Sequence, residues 1–350
     1  MRTGMPLPTL GLGTGGLDHR ELPNLLRHAV ELGYRTLDLA REYGNEHIVA
    51  NAIAEIEAGV GVRRHHLFLI SKVWPTQLGV VPTRDAVRHS LRDLRTSYID
   101  AYLLHWPKCD ANIDWHHCRD TVDPKGTWQQ SWRALEREYA EGRVMNIGVS
   151  NFDLPLLHEL GQHAKTAVQI VQNHAEIGDD QATDKDVRVW CRKRGTVYMP
   201  YAHQRNLQFL PEHLKESLQQ ISEMTGRSAH SVASRFFVQG GAAIIPRSSN
   251  PKHLAENAQV GACLCVSACL CVCRLRRYGC SGPCVESTLV LTPLSIPFRY
   301  SRSAWSIMTC WTWDGTITTC PGGPKTSCEE GRTGHGAANK YIFYILFNRK

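Results

Sequence analysis

The sequence predicts an α/β fold, eight strand-then-helix units closed into a (β/α)8 barrel, and three observations carry that expectation. Short apolar runs alternate with longer amphipathic stretches through the first 260 residues, which implies parallel strands joined by right-handed crossovers. Eight such units are present if 251–259 is taken as the last helix, the number at which a parallel sheet closes. Nearly every apolar run also ends on a polar side chain, as in Asp38, Lys72 and His105, and the C-terminal ends of barrel strands are where such folds place their chemistry.

The elements follow in order. Residues 7–14 form a short strand running into glycines. A helix over 20–32 has Leu22, Leu25, Leu26 and Ala29 at helical spacing and ends at Gly33. The next strand, 36–40, feeds a helix over 45–58 with Ile48, Ala52 and Ile53 on one face. Strand 67–73 leads to a helix with Val87 and Leu91 apolar, and strand 99–105 follows. A polar insertion, 107–126, breaks the rhythm, and insertions of this length tend to serve function. The alternation resumes with helix 128–141, strand 146–150, helix 153–163, strand 168–173, helix 184–194 and strand 196–201. Helices at 212–224 and 229–238 precede a last strand at 243–245.

The start of the chain also imitates another fold. Gly11-Leu12-Gly13-Thr14-Gly15-Gly16 opens a helix after a strand, with Asp38 at a later strand end, which resembles a Rossmann fingerprint. The last glycine is off register, and a doubly wound domain has no need of eight units. The barrel is the better account.

Composition narrows the function. Hydrophobic residues at 42% and charged residues at 21% support a large core. A net charge of +7 without a Lys/Arg run is no nucleic-acid footprint, though it suits an anionic cofactor. No apolar run reaches membrane-spanning length and no signal-peptide core opens the chain, so the expected setting is cytoplasmic. Cysteine use changes abruptly. Only Cys109, Cys118 and Cys191 precede residue 260, and the rest of the 13 follow it. Residues 1–260 therefore read as the barrel domain and 261–350 as a Cys-rich, low-complexity tail. Thiolates for a soft metal, a disulfide-bonded appendage and sequence foreign to the barrel compete as explanations. The last is favoured, and with it an irregular, disordered tail. Cys109, Cys118, His116 and His117 match no standard zinc spacing, and no metal is expected.

Asp38, Tyr43, Lys72 and His105 form a proton-donating set. An ammonium beside a phenol favours phenolate and lowers its pKa, and a carboxylate keeps that ammonium charged. An imidazole beside them binds the substrate oxygen. A hydroxyl so tuned protonates an oxygen on which negative charge develops. This is carbonyl-reduction chemistry, and it requires a hydride donor.

The motifs Gly11-Leu12-Gly13-Thr14, Asp38 with Tyr43-Gly44-Asn45-Glu46, Ser71-Lys72-Val73-Trp74, Leu104-His105-Trp106-Pro107, Gly148-Val149-Ser150-Asn151-Phe152 and Ile245-Pro246-Arg247-Ser248 stand in one order and spacing. Over residues 5–260 the chain resembles the aldo-keto reductase family. The resemblance implies a monomeric (β/α)8 TIM barrel that reduces a small-molecule aldehyde or ketone, with hydride from NADPH and a proton from Tyr43. It implies Lys72 and Asp38 as tuners of Tyr43 and His105 as the orienter of the carbonyl. Thr14 belongs to the cofactor-side motif. Ser150, Asn151 and Gln172 match positions that hold the nicotinamide carboxamide, and Tyr201 matches the ring that stacks on nicotinamide. Arg247, Ser248 and His253 fall at the adenosine 2′-phosphate, with Glu256 and Asn257 at the adenine. Trp74 and Trp106 match walls of the substrate pocket.

The chain departs from the family in three places. His253 stands where a stronger cation is usual, which weakens discrimination for NADPH over NADH. Ala202-His203-Gln204-Arg205-Asn206 replaces the usual small-residue loop around the pyrophosphate. The usual C-terminal segment closing the substrate pocket is unrecognisable after 260, which keeps open a second class of function: an NADPH-binding barrel that senses or scaffolds without turnover.

Overall fold

The computed structural model describes residues 7–110, 112–113, 116–118 and 126–261, together with the backbone of 309–311 and 317–319. The chain divides into two compact units, Met1–Cys263 and Leu264–Lys350.

In the first unit seven strands pair in parallel in chain order: β1 (Gly11–Gly13), β2 (Thr36–Asp38), β3 (Phe68–Val73), β4 (Ala101–Leu104), β5 (Ile147–Ser150), β6 (Ile170–His174) and β7 (Val197–Tyr201). The segment 243–245 closes the ring. The Ala243 N–H donates to the Tyr198 carbonyl at 3.0 Å on one side, and the Gly11 N–H donates to the Ile244 carbonyl at 2.8 Å on the other. The expected eighth strand is thus reduced to a single parallel bridge, Leu10 to Ile244. Pro246 follows at once, and having no N–H it cannot extend the ladder as a donor. Its carbonyl still accepts from the Gly13 N–H at 3.2 Å.

The helices are α1 (Leu22–Glu31), α2 (Glu46–Val60), α3 (Val80–Asp93), α4 (Trp128–Ala140), α5 (Leu154–His163), α6 (Lys185–Arg194), α7 (Glu212–Thr225), α8 (Ala229–Gln239) and α9 (Pro251–Ala258). Apart from α3, for which the sequence set no bounds, each lies within two residues of its expected bounds, because local chemistry marks the ends. Thr127 and Gln130 form a reciprocal capping box at α4, Asp153 caps α5, and Gly226 ends α7 in the left-handed conformation.

Alternation along the strands builds the core and then the site. Phe68, Ile70, Ala101, Leu103, Ile170, Met199, Ala243 and Ile245 form one buried cluster, with Val197 and Tyr201 packed on it. These residues stand two apart along their strands, so they share the interior face. One more step of two on the same strands reaches Lys72, His105, Gln172, Tyr201 and Arg247. The expected site residues are therefore largely the top layer of the barrel interior, above an apolar plug.

Two features of the first unit were not anticipated. Cys109 and Cys118 are joined in a disulfide that ties the start of the polar insertion into a loop. Glu46, 1% exposed, accepts from Ser71 Oγ at 2.7 Å and from Arg41 Nη1 at 2.5 Å, while Arg41 also reaches Asp93 at 2.6 Å. This buried network fixes the 3-10 turn Arg41–Tyr43, which Gly44 ends at φ +62°.

In the second unit the described backbone comprises two antiparallel strands, β8 (Thr309–Trp311) and β9 (Ile317–Thr319). The sequence showed no strand period there. The disordered-tail expectation, and the thiolate reading of 263–273, lie outside the described residues.

Candidate active site

The strand ends converge on a cleft of ≈ 1090 Å³ at the C-terminal mouth of the barrel. Behind its floor the Lys72 ammonium, 0% exposed, donates to both Asp38 oxygens at 2.8 and 2.9 Å and to the Leu39 carbonyl at 2.8 Å. Tyr43 Oη lies 3.5 Å from Lys72 Nζ, at the long limit of a hydrogen bond. Burying an ammonium is tolerable only when its donors are used, and here all three have acceptors. Burial pulls the Lys72 pKa down, but Asp38 and Tyr43 together outweigh it, and the net direction is up. The ammonium is charged at neutral pH.

Tyr43 corrects the sequence expectation. Burial raises its pKa, Lys72 offsets part of that, and the net direction is upward from the ordinary 10.0. The resting group is a phenol, already carrying the proton to be given. Gly15 sits against it so closely that a Cβ there would lie 2.9 Å from Tyr43 Cζ, which is why the ring has room only beside a glycine.

His105 stands across the cleft floor, its ring centroid 6.0 Å from that of Tyr43. Burial, then the charges of Lys72 and His116, hold its pKa well below 6.5, so the imidazole is neutral at pH 7. Its Nδ1 is buried without a protein partner. A neutral imidazole offers one N–H to a substrate oxygen without competing for the proton on Tyr43.

Aromatic side chains form the outer wall. The Trp74 ring lies edge-on to His105 at 4.9 Å, and its indole N–H donates to the His116 carbonyl at 3.1 Å. Trp106 packs on the His116 ring at 4.9 Å. His117 Nε2 is 3.6 Å from Glu42 Oε1, which brings the disulfide-tied loop onto the residue next to Tyr43. The histidines and cysteines once considered as metal ligands thus have other uses, and the two sulfurs are bonded to each other.

The other half of the cleft presents complementary hydrogen-bonding groups. Asn151, at φ +60°, donates to the His105 carbonyl at 2.9 Å and accepts the Tyr201 hydroxyl at 2.6 Å. Gln172 Nε2 donates to Asp38 Oδ1 at 2.9 Å. Among the described residues these bonds leave the Ser150 hydroxyl proton and the Gln172 carbonyl oxygen unused. One donor beside one acceptor is the complement of a carboxamide. Tyr201 lines the same stretch, its pKa raised to about 12 by burial.

Arg247 Nη1 donates to the carbonyl of Gly15, the glycine that lies against Tyr43, at 2.7 Å, and no carboxylate among the described residues pairs with it. Ser248 Oγ is 3.5 Å from His253 Nδ1. Glu256 accepts from Ser228 Oγ at 3.0 Å, and Asn257 accepts from Gln204 Nε2 at 2.7 Å. A guanidinium with free donors and a carboxamide complement line the same cleft, so the residues present fit an extended pyridine dinucleotide phosphate.

Of the residues picked from sequence, two do not line the cleft. Lys72 stands behind Asp38 and Tyr43. Thr14 is fully buried, its hydroxyl donating to the Asp38 carbonyl at 2.9 Å while Asn45 Nδ2 donates to it at 3.3 Å, so it supports the strand end from behind. His203 and Gln204 were not picked as site residues. His203 is buried against Ser234 Oγ at 3.0 Å, and Gln204 joins Ser234, His230 and Asn257. Only the unusual Ala202–Asn206 stretch marked them in the sequence.

A closed parallel barrel with phenol, ammonium, carboxylate and imidazole at its strand ends defines an oxidoreductase of the barrel type. The model of the aldo/keto reductase family matches residues 7–267. The glyoxal reductase of Bacillus subtilis is 32% identical over 263 residues, covering 74% of this chain and 85% of that protein. Mouse aldo-keto reductase family 1 member A1 is 31% identical, covering 74% and 83%. The crystal structure of an aldo/keto reductase from Brucella melitensis superposes with a TM-score of 0.63 at 28% identity, covering 75% and 91%. The chain belongs to the aldo/keto reductase family and is an NAD(P)H-dependent oxidoreductase.

Proposed function

We propose that this protein reduces a small aldehyde or ketone to the alcohol with NADPH, Tyr43 supplying the proton. The observation that carries this reading is the phenol of Tyr43, held 3.5 Å from a buried ammonium and beside a neutral imidazole in one cleft. Bound nicotinamide supplies the hydride that adds to the carbonyl carbon. His105 donates to the carbonyl oxygen and orients it, and Tyr43 Oη delivers a proton to that oxygen as charge develops. The tyrosinate left behind is stabilised by Lys72, which Asp38 holds in place. Lys72 thus acts after the proton has moved more than before.

Ser150 and Gln172 would hold the carboxamide, with Asn151 positioning Tyr201 against the nicotinamide ring. Arg247, Ser248 and His253 would take the 2′-phosphate, Arg247 with the donors left free beside Gly15. Glu256 and Asn257 would lie at the adenine, Trp74 and Trp106 at the substrate. The relative named glyoxal reductase supports a small, reactive carbonyl. We read residues 1–260 as the working domain of a cytoplasmic monomer with no nucleic-acid partner, 261–350 being an unrelated tail. No helix among the described residues is long and apolar enough to cross a membrane. Cys109–Cys118 pulls against the cytoplasm, where thiols are kept reduced.

The test is NADPH fluorescence on binding followed by NADPH oxidation with 4-nitrobenzaldehyde. Binding with oxidation is expected. Binding without oxidation favours a sensing or scaffold subunit.

A further inference from the structure

The loop after β7 carries a cation that none of the cofactor assignments above uses. Arg205 lines the cleft and is exposed, and among the described residues its guanidinium has no hydrogen-bond or ion-pair partner. Glu176, the acid that holds the neighbouring residue of the loop, is already committed. It accepts from Asn206 Nδ2 at 2.9 Å and lies 3.2 Å from His174 Nε2.

The backbone around Arg205, by contrast, is firmly held. Ala202 and Asn206 both adopt left-handed conformations, at φ +61° each, and the Arg205 N–H donates to the Ala202 carbonyl at 2.7 Å. His203 is anchored on Ser234, and Gln204 donates to Ser234 Oγ at 2.8 Å and Asn257 Oδ1 at 2.7 Å. A rigid turn presents an unpaired guanidinium to an open cleft. Such a group loses little conformational freedom beyond its own side chain when it binds an anion.

The anchors of this loop say which part of the cleft it faces. Tyr201, at its start, belongs to the carboxamide end through its 2.6 Å bond to Asn151. Gln204, next to Arg205, is bonded to Asn257 at the adenine end. The loop therefore spans the stretch between the two ends, where the linker of an extended dinucleotide must run. That linker is a diphosphate, and a guanidinium is its natural fork-shaped partner. The Arg205 charge also reaches Tyr201, opposing the larger upward push of burial on that phenol. Arg247, bonded to the Gly15 carbonyl rather than to this loop, is left for the 2′-phosphate assigned to it above.

We propose that Arg205 grips the diphosphate of the bound dinucleotide, replacing backbone contacts of a small-residue loop with a side-chain cation, so that Arg205 and Arg247 do separable work. Arg205 sets affinity for NADPH and NADH alike, and Arg247 sets the preference between them. This rests on the cofactor reading above, and the experiment separates the two failures.

The experiment is titration of the full chain with NADPH and with NADH, following nucleotide fluorescence, for wild type, Arg205→Ala, Arg205→Lys and Arg247→Ala. Loss of a charge-assisted contact at an exposed site corresponds to about a tenfold weaker Kd. Arg205→Ala should weaken both nucleotides by the same factor, Arg205→Lys should recover part of it, and Arg247→Ala should weaken NADPH more than NADH. Because Arg205 has no side-chain partner to lose, its variants should keep the wild-type Tm. Unchanged affinities in Arg205→Ala, with wild type binding normally, overturn the assignment alone. A loss confined to NADPH places Arg205 at the 2′-phosphate and also overturns it. Wild type binding neither nucleotide overturns the cofactor reading and this assignment together.

Discussion

At the scale of single residues, the chemistry depends on a balance that only burial reveals. Tyr43, Lys72, Asp38 and His105 were legible in the sequence as a set, because four residue types stood at or near strand ends. Their protonation was not legible. Charge proximity alone predicts a lowered phenol pKa, but burial is the larger effect and holds it above 10.0. The same burial keeps His105 neutral. Reduction requires Tyr43 protonated, and a raised pKa extends that condition upward in pH. The rate of carbonyl reduction under kcat/KM conditions should therefore be flat across neutral pH and fall only above pH 10. An alkaline limb centred near pH 8 would mean that Lys72 dominates and the phenol is strongly acidified. Thr14 is the opposite lesson. Its place in a motif made it a cofactor residue, while its hydrogen bonds to Asp38 and Asn45 give it a supporting role.

At the scale of elements, each strand delivers its site residue because side chains alternate and the sheet closes. Strand and helix positions were legible from periodicity and from end signals such as Thr127, Asp153 and Gly226. The connections were less so. The Arg41–Glu46–Asp93 network joins residues 52 positions apart, as Arg41 and Asp93 are, and no local pattern announces it. The Cys109–Cys118 disulfide was missed because the spacing was weighed only for metal. The turn at Gly15 shows how an element sets the chemistry. A methyl there meets Tyr43 Cζ at 2.9 Å and Cε1 at 3.1 Å, yet Gly15 has no positive φ, so the backbone tolerates alanine. Gly15→Ala should thus displace the phenol rather than unfold the barrel. A shift of an ångström in a reacting group costs on the order of 10²-fold, so kcat should fall by about that factor with Tm nearly unchanged. A variant of full activity would show that Tyr43 has slack the structure does not provide.

At the scale of the whole molecule, buried histidines make the barrel sensitive to acid. His203 is 1% exposed, and burial lowers its pKa from 6.5 to about 4. Between those two values the unfolded chain takes up a proton that the folded chain refuses, so the unfolded state binds more protons and stability falls as pH drops. The contribution is complete above pH 6.5 and is lost progressively toward pH 4, to roughly 3 kcal/mol for His203 alone. His105 acts in the same direction. Thermal unfolding of wild type should show Tm declining from pH 6.5 to pH 4, and His203→Gln should decline less. Equal declines would assign the effect to other groups. The eighth strand belongs to this scale as well. Its residues 243–245 read as a strand, and they close the ring with one hydrogen bond to Tyr198 and one bridge to Leu10, because Pro246 cannot donate onward.

The central claim is that Tyr43 is the proton donor in a cofactor-competent barrel. The measurement that tests it most directly is kcat for 4-nitrobenzaldehyde reduction by wild type and Tyr43→Phe, with the NADPH Kd taken on the same samples. Removing a general acid costs typically 10²–10⁴-fold. Tyr43→Phe should lose at least ~10²-fold in kcat and bind NADPH within about twofold of wild type. Turnover by Tyr43→Phe at the wild-type rate would contradict the account.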